Sequence, residues 1–290
     1  MRIIGVDQAV LGVEDIDAAR RFYNDFGLTQ AENGASGATF RTGDHCEVVL
    51  REVDDAGLPA ATAKGSNIRE MIWAVDDATE LQKIGAELSK DRPVRVDADG
   101  SLHTKDDDGF AIGFRVTRRR AITPARNMLN IFGAAPNRPA NQRVDYNAPV
   151  NPVSLAHVVI WSPDIPRAMK FYVGRLGFRV SDIFQGDNGV FLRSAGSTDH
   201  HTLFLIRHPD RITRLHHMAF HVTDFNDVML GGMRLTAKGW ETAVGPGRHK
   251  LGSNYFWYFK TPCGGAMEYS ADMDRATDDW QPREWKFGPQ

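Results

Sequence analysis

LAHVVIWSPDIPRAMKFYVGRLGF, residues 155–178, repeats the pattern of VDQAVLGVEDIDAARRFYNDFGL, residues 6–28. At a constant offset His157 falls on Gln8, and Phe171-Tyr172 on Phe22-Tyr23. Each copy opens with an apolar run and then switches to apolar residues at helical spacing, the pattern of a strand followed by an amphipathic helix. In the first copy residues 2–13 read as the strand and 14–26 as the helix. Ile16, Ala19, Phe22, Tyr23 and Phe26 form its stripe, and Gly27 stops it. In the second copy Ser162 can cap the helix and Pro163 can occupy its first turn, with Ile165, Ala168, Met169, Tyr172 and Leu176 as the buried stripe.

A second repeat follows each first one. IREMIWAVDD (68–77) matches LHHMAFHVTD (215–224), which sets Glu70 against His217, and helices are expected near 77–90 and 224–238. Each half then ends in a strand, GFAIGFRV (109–116) against GGAMEYSA (264–271), which sets Gly113 against Glu268. Repetition of this kind defines the architecture before any single element does. The expected fold is α+β, with four β-α-β-rich modules paired into two domains, residues 1–120 and 153–290. The Arg-, Pro- and Asn-rich segment 121–152 reads as the connection between them.

Composition narrows the function. The chain has 290 residues and a net charge of −2, which gives no reason to expect nucleic acid or an anionic membrane as partner. Its two cysteines, Cys46 and Cys263, form no CxxC pair and suit a reducing cytoplasm. The start, MRIIGVDQAVLG, lacks the apolar core of a signal peptide, and no apolar run approaches the roughly 20 residues that span a bilayer. Of ten histidines, only His45 and His103 precede residue 150. Metal or proton chemistry is therefore expected in the second half.

The duplicated positions differ in an informative way. The second half has His157, His217 and Glu268 where the first has Gln8, Glu70 and Gly113. A lone strand histidine is more often a packed core residue than a ligand, but three such residues on equivalent strands of one half ask for a common explanation. Two neutral imidazoles and a carboxylate on one side of a metal leave its other positions open, as non-haem Fe(II) sites require, while the lack of thiolates disfavours structural zinc. His216 competes with His217 for the ligand role. Strand alternation favours His217, which shares a face with Ala219 and His221, while His216, Met218, Phe220 and Val222 are expected to look away. On the last strand Glu268 shares its face with Ala266 and Ser270.

Residues 247–269, GRHKLGSNYFWYFKTPCGGAMEY, read as loop, strand, turn and strand, and carry His249, Tyr258 and Glu268. Together with LHHMAFHV and DHHTLFL (199–205), this stretch resembles the signature of the type I extradiol ring-cleavage dioxygenases, the catechol 2,3-dioxygenase and 2,3-dihydroxybiphenyl dioxygenase group of the vicinal oxygen chelate superfamily. The resemblance covers nearly the whole chain. It implies two domains, each of two βαβββ modules, with the metal in the C-terminal barrel and the N-terminal domain structural. It implies His157, His217 and Glu268 as metal ligands, settling His217 over His216. His201 falls at the family's acid/base histidine, and His249 and Tyr258 at the residues that contact the substrate hydroxyls. The implied cofactor is Fe(II), though the ligand set admits Mn(II). The implied partners are a catechol and O₂, the implied product is a ring-opened hydroxy-semialdehyde, and a homo-oligomer is the family-level expectation. Lys250-Leu251-Gly252 departs from the polar segment of biphenyl-type relatives. Phe191, Phe204, Phe256 and Trp257 hint at an aromatic pocket, and the tail 275–290 at a cover bringing Trp280, Arg283 or Trp285 to it. The alternatives are a glyoxalase-type isomerase or a non-enzymatic aromatic-binding protein on the same modules.

Overall fold

A computed structural model describes residues 1–34, 36–125 and 127–286. The first module comprises β1 (Ile3–Val13), α1 (Ile16–Phe26), β2 (Thr29–Gly34), β3 (Gly37–Arg41) and β4 (Glu47–Glu52). The second comprises β5 (Asn67–Val75), α2 (Ala78–Leu88), β6 (Arg95–Val96), β7 (Leu102–Lys105) and β8 (Ala111–Val116). The third has β9 (Ser154–Ser162), α3 (Ile165–Tyr172), β10 (Arg179–Phe184), β11 (Gly189–Arg193) and β12 (Leu203–Arg207). The fourth has β13 (Arg214–His221), α4 (Phe225–Ala237), β14 (Thr242–Arg248), β15 (Tyr255–Lys260) and β16 (Ala266–Ala271), and β17 (Arg283–Trp285) follows it.

In every module the first strand pairs in parallel with the last, which requires the crossover that the helix supplies. First strands of neighbouring modules then pair antiparallel, β1 with β5 and β9 with β13. The result is an eight-stranded sheet, β2-β3-β4-β1-β5-β8-β7-β6, and a nine-stranded sheet, β14-β15-β16-β13-β9-β12-β11-β10-β17. The ladders carry the duplication residue by residue. Gln8 stands opposite Ile72, which stands opposite Gly113, and His157 opposite Ala219, which stands opposite Glu268. Val10 faces Glu70 as Val159 faces His217.

The helix caps explain where the strands stop. Asp15 accepts a hydrogen bond from the Ala18 backbone N–H at 2.8 Å and opens α1, and Gly27 closes it at φ 95°. Only glycine fits there, since a Cβ would lie 2.0 Å from the Val150 carbonyl oxygen. In α3 the cap is Asp164, which accepts from Arg167 N–H at 3.0 Å, and Pro166 rather than Pro163 lies in the first turn. Ser162 is unavailable as the cap because it still belongs to β9, and its hydroxyl donates to Asp108 at 2.7 Å. The buried stripe of α3 includes Phe171, while Met169 is only half-buried.

One hydrophobic core runs through both halves. Phe26 of α1 stacks on Tyr269 of β16 at 4.1 Å, and the Tyr269 hydroxyl donates to the Phe26 carbonyl at 2.7 Å. Burying an aromatic pair this way contributes several kcal/mol, on the order of 2–3 per ring. The small residues and the candidate ligands of β13 and β16 are left on the opposite face. Residues 117–153 carry no helix or strand among the described residues and expose Ile131 and Phe132. Among the described residues no helix is long and apolar enough to cross a membrane.

Candidate metal centre

His157 on β9, His217 on β13 and Glu268 on β16 come from three adjacent strands and meet in the interior. His157 Nε2 lies 3.3 Å from His217 Nε2 and 3.4 Å from Glu268 Oε2, and His217 Nε2 lies 3.5 Å from that same oxygen. All three side chains are buried. Burial, and then the neighbouring imidazole of His216, hold His217 neutral by lowering its pKa well below the usual histidine value. Glu268 Oε2 has no hydrogen-bond partner. A buried carboxylate oxygen without a donor is costly, and here two imidazole nitrogens turn towards it. Metal bonds of roughly 2.0–2.2 Å place neighbouring ligand atoms about 3.0–3.5 Å apart, so the cluster fits a divalent cation in both spacing and donor type.

The remaining carboxylate oxygen is fixed separately. Asn254, fully buried, donates to Glu268 Oε1 at 3.0 Å and contacts the Ser270 hydroxyl at 2.9 Å. Such partners orient ligating carboxylates. The sequence reading missed Asn254, although alternation along 254, 256 and 258 places it on the face of Tyr258.

Around the cluster opens a cavity of about 480 Å³. The His201 ring lies 4.1 Å from that of His157, and the Tyr258 ring 5.0 Å from that of His217. Tyr258 stands opposite Glu268 in the β15–β16 ladder, and its hydroxyl shares a hydrogen bond of 2.9 Å with His249 Nε2. His249 lies in the β14–β15 connection rather than on a strand, held by its N–H to the Asn254 carbonyl. Burial, followed by Glu268, raises the Tyr258 pKa, so the phenol stays protonated and can donate. Burial and the surrounding histidines push the His201 pKa well down. Burial also lowers that of His249, against the pull of Glu268.

Strand alternation breaks at His216. The β9–β13 ladder shifts register between Leu215 and His217, a bulge that turns His216 towards the cavity as well. Its Nδ1 lies 2.7 Å from His217 Nδ1, so it contacts the ligand candidate and fixes that ring's orientation. Phe191 and Phe204 stack at 3.8 Å and, with Phe184, Ile206 and Leu251, form an apolar wall. Phe256 stacks on His249 at 4.0 Å, whereas Trp257 points into the core. The tail forms β17 against β10, and Trp285 packs behind the apolar wall. Trp280, Arg283 and Trp285 do not line the cavity.

In the first half the equivalent positions are closed by the protein's own bonds. Gln8 donates to Glu47 at 2.7 Å, Glu70 pairs with His103 at 2.7 Å, and Gly113 offers no ligand.

Residues 154–269 match the Glyoxalase/Bleomycin resistance protein/Dioxygenase superfamily. The chain is 31% identical over 278 residues to metapyrocatechase 2 of Cupriavidus necator, covering 93% of this chain and 81% of that one. It belongs to the extradiol dioxygenase family. A second member of this family, biphenyl-2,3-diol 1,2-dioxygenase of Paraburkholderia xenovorans, is 25% identical over 290 residues, covering 92% of this chain and 87% of its own. The Mn(II)-bound glyoxalase of Novosphingobium aromaticivorans superposes with a TM-score of 0.77 at 26% identity, covering 99% of this chain and 89% of that one. Among the described residues the fold is α+β with two sheets, as in this family.

Proposed function

We propose that this extradiol dioxygenase family member opens a catechol ring beside its two hydroxyls, using O₂ and a divalent metal held by His157, His217 and Glu268. The observation that carries the reading is the meeting of those three side chains beside a cavity that His157, His217, His201, His249 and Tyr258 line. Both atoms of O₂ enter the product, a hydroxy-semialdehyde or hydroxy-oxo-dienoate, so no external reductant is needed. The bound metal supplies Lewis acidity and a common site for the diol and O₂.

The chain's own residues do the rest. His201, kept neutral by burial, is a base before it is an acid. It takes a proton from a substrate hydroxyl and returns it as the ring opens. Tyr258 donates to the substrate oxygen on the His249 side, where negative charge develops. Phe191, Phe204 and Leu251 orient the ring and keep water out. Iron is the metal favoured by the family resemblance, and the Mn(II)-bound Novosphingobium protein supports Mn(II) as an alternative.

Within this reading residues 1–120 form a structural domain, 121–152 connect it, and 153–290 carry the chemistry. A cytoplasmic location fits two buried, unpaired cysteines. A homo-oligomer fits the exposed Ile131 and Phe132 of the connection.

An oxygen electrode tests the reading. Protein reconstituted anaerobically with Fe(II) should consume O₂ and turn yellow on adding a catechol. His201→Phe should retain the metal and bind the catechol while kcat falls by roughly 10²–10⁴. Unchanged turnover in that variant contradicts the role of His201, and metal-loaded protein that consumes no O₂ with any catechol contradicts the reaction.

A further inference from the structure

His201 has a partner that the reaction scheme does not use. Its Nδ1 lies 3.0 Å from Nδ1 of His200, and His200 Nε2 lies 2.9 Å from Asp182 Oδ2. His200 is fully buried and Asp182 nearly so. The other oxygen of Asp182 accepts the backbone N–H of Arg283 at 2.9 Å, so β17 anchors the carboxylate. Trp280 packs its ring 5.4 Å from that of His200 and donates its indole N–H to the Ser181 carbonyl at 2.8 Å. A line of hydrogen bonds thus runs from the C-terminal strand through Asp182 and His200 to His201.

Only certain proton arrangements fit this line. Asp182 is an acceptor on both oxygens, so His200 carries a proton on Nε2. An imidazole whose single ring proton sits on Nε2 has its lone pair on Nδ1, the atom that faces His201 Nδ1. His201 must then donate from Nδ1, and its Nε2 is a bare lone pair at the cavity.

We propose that Asp182 and His200 are positioning residues that hold His201 in the Nδ1–H tautomer with its basic Nε2 facing the substrate hydroxyl. The inference rests on the reading of His201 as the proton acceptor of an extradiol reaction. It gives β17 a function, since the strand fixes the carboxylate from which the tautomer is set. Where a carboxylate orients a catalytic imidazole directly, loss of the correct tautomer costs rate more than binding, and here His200 passes the same constraint from Asp182 to His201.

Protein labelled with ¹⁵N and loaded with zinc, a diamagnetic ion, tests this directly, because bare and protonated ring nitrogens give separate signals. The expected wild-type result is a protonated Nδ1 and a bare Nε2 on His201. In Asp182→Asn the Arg283 N–H retains the side-chain carbonyl, so the amide NH₂ faces His200 and reverses both imidazoles. The variant should show the Nε2–H tautomer, full metal content and a KM for catechol within about threefold of wild type. Its kcat should fall on the order of 10²- to 10⁴-fold in the iron enzyme. His200→Asn keeps an acceptor near the Nδ1 position and should exceed His200→Leu in kcat by about tenfold or more. A wild-type Nε2–H signal overturns the proposal, as does an Asp182→Asn variant with unchanged kcat. If the iron enzyme opens no catechol, the functional reading fails, while the wild-type nitrogen signals still decide the role of the pair.

Discussion

Glu268 Oε2 is buried and makes no hydrogen bond, and the Nε2 atoms of His157 and His217 lie 3.4 and 3.5 Å from it. That arrangement is stable only when something positive lies between them, which makes the carboxylate the most sensitive point of the centre. Asn254 controls its orientation through Oε1. Asn254→Leu should therefore bind Fe(II) some 10- to 100-fold more weakly, read by chelator competition, whereas Glu268→Ala should lose the metal altogether. Wild-type affinity in Asn254→Leu contradicts the orienting role. The triad was legible in the sequence because the duplicated half acts as an internal control, offering Gln8, Glu70 and Gly113 at the same ladder positions. Asn254 and the Asp182–His200 pair carry no such signal, because each acts across strands whose register the sequence does not display.

At the level of elements, alternation along β13 predicted the faces of Met218, Ala219 and Phe220 but misplaced His216. A one-residue bulge between Leu215 and His217 resets the pattern, and no residue type announces it. The α3 cap moved from Ser162 to Asp164 for a related reason, since β9 runs further than its apolar run suggested. The wall built by β10, β11 and β12 is more decisive for function. Phe184, Phe191, Phe204 and Ile206 line the cavity, Leu251 adds to them, and no lysine or arginine does so among the described residues. A carboxylated catechol would bury its charge there without a partner. The expected outcome is a kcat/KM at least about 100-fold higher for catechols with methyl or phenyl substituents than for those bearing a carboxylate. Equal values would mean that a cation reaches the substrate from outside this wall.

Across the whole molecule the two halves share one core, and polar contacts join them at Asp106. The Tyr172 hydroxyl of α3 donates to its Oδ2 at 2.9 Å. Burial, then Asp108, raises this carboxyl from 3.8 to about 7. Because the folded value lies above the unfolded one, the stability it brings is complete below about pH 4 and lost as pH rises through 7. The gap amounts to about 4 kcal/mol at most. Asp106→Asn should raise Tm at pH 8 by a few degrees and flatten the decline between pH 5 and 8, both measurable by calorimetry. An unchanged slope contradicts the assignment. Phe132 is fully exposed in the connection, and the homo-oligomer proposed above would use it as a contact. Phe132→Asp should shift the light-scattering mass towards a 32.3 kDa monomer, and an oligomer indifferent to this change would need another interface.

On the proposed function, the His157–His217–Glu268 centre inserts both atoms of O₂ into a catechol beside the diol. Mass spectrometry of the product formed by Fe(II)-loaded protein from a catechol under ¹⁸O₂ tests it most directly. The expected result is one ring-opened product that carries both labelled atoms and an aldehyde or ketone next to the cleaved bond. A dicarboxylate from cleavage between the hydroxyls, or a product with no label, would contradict it.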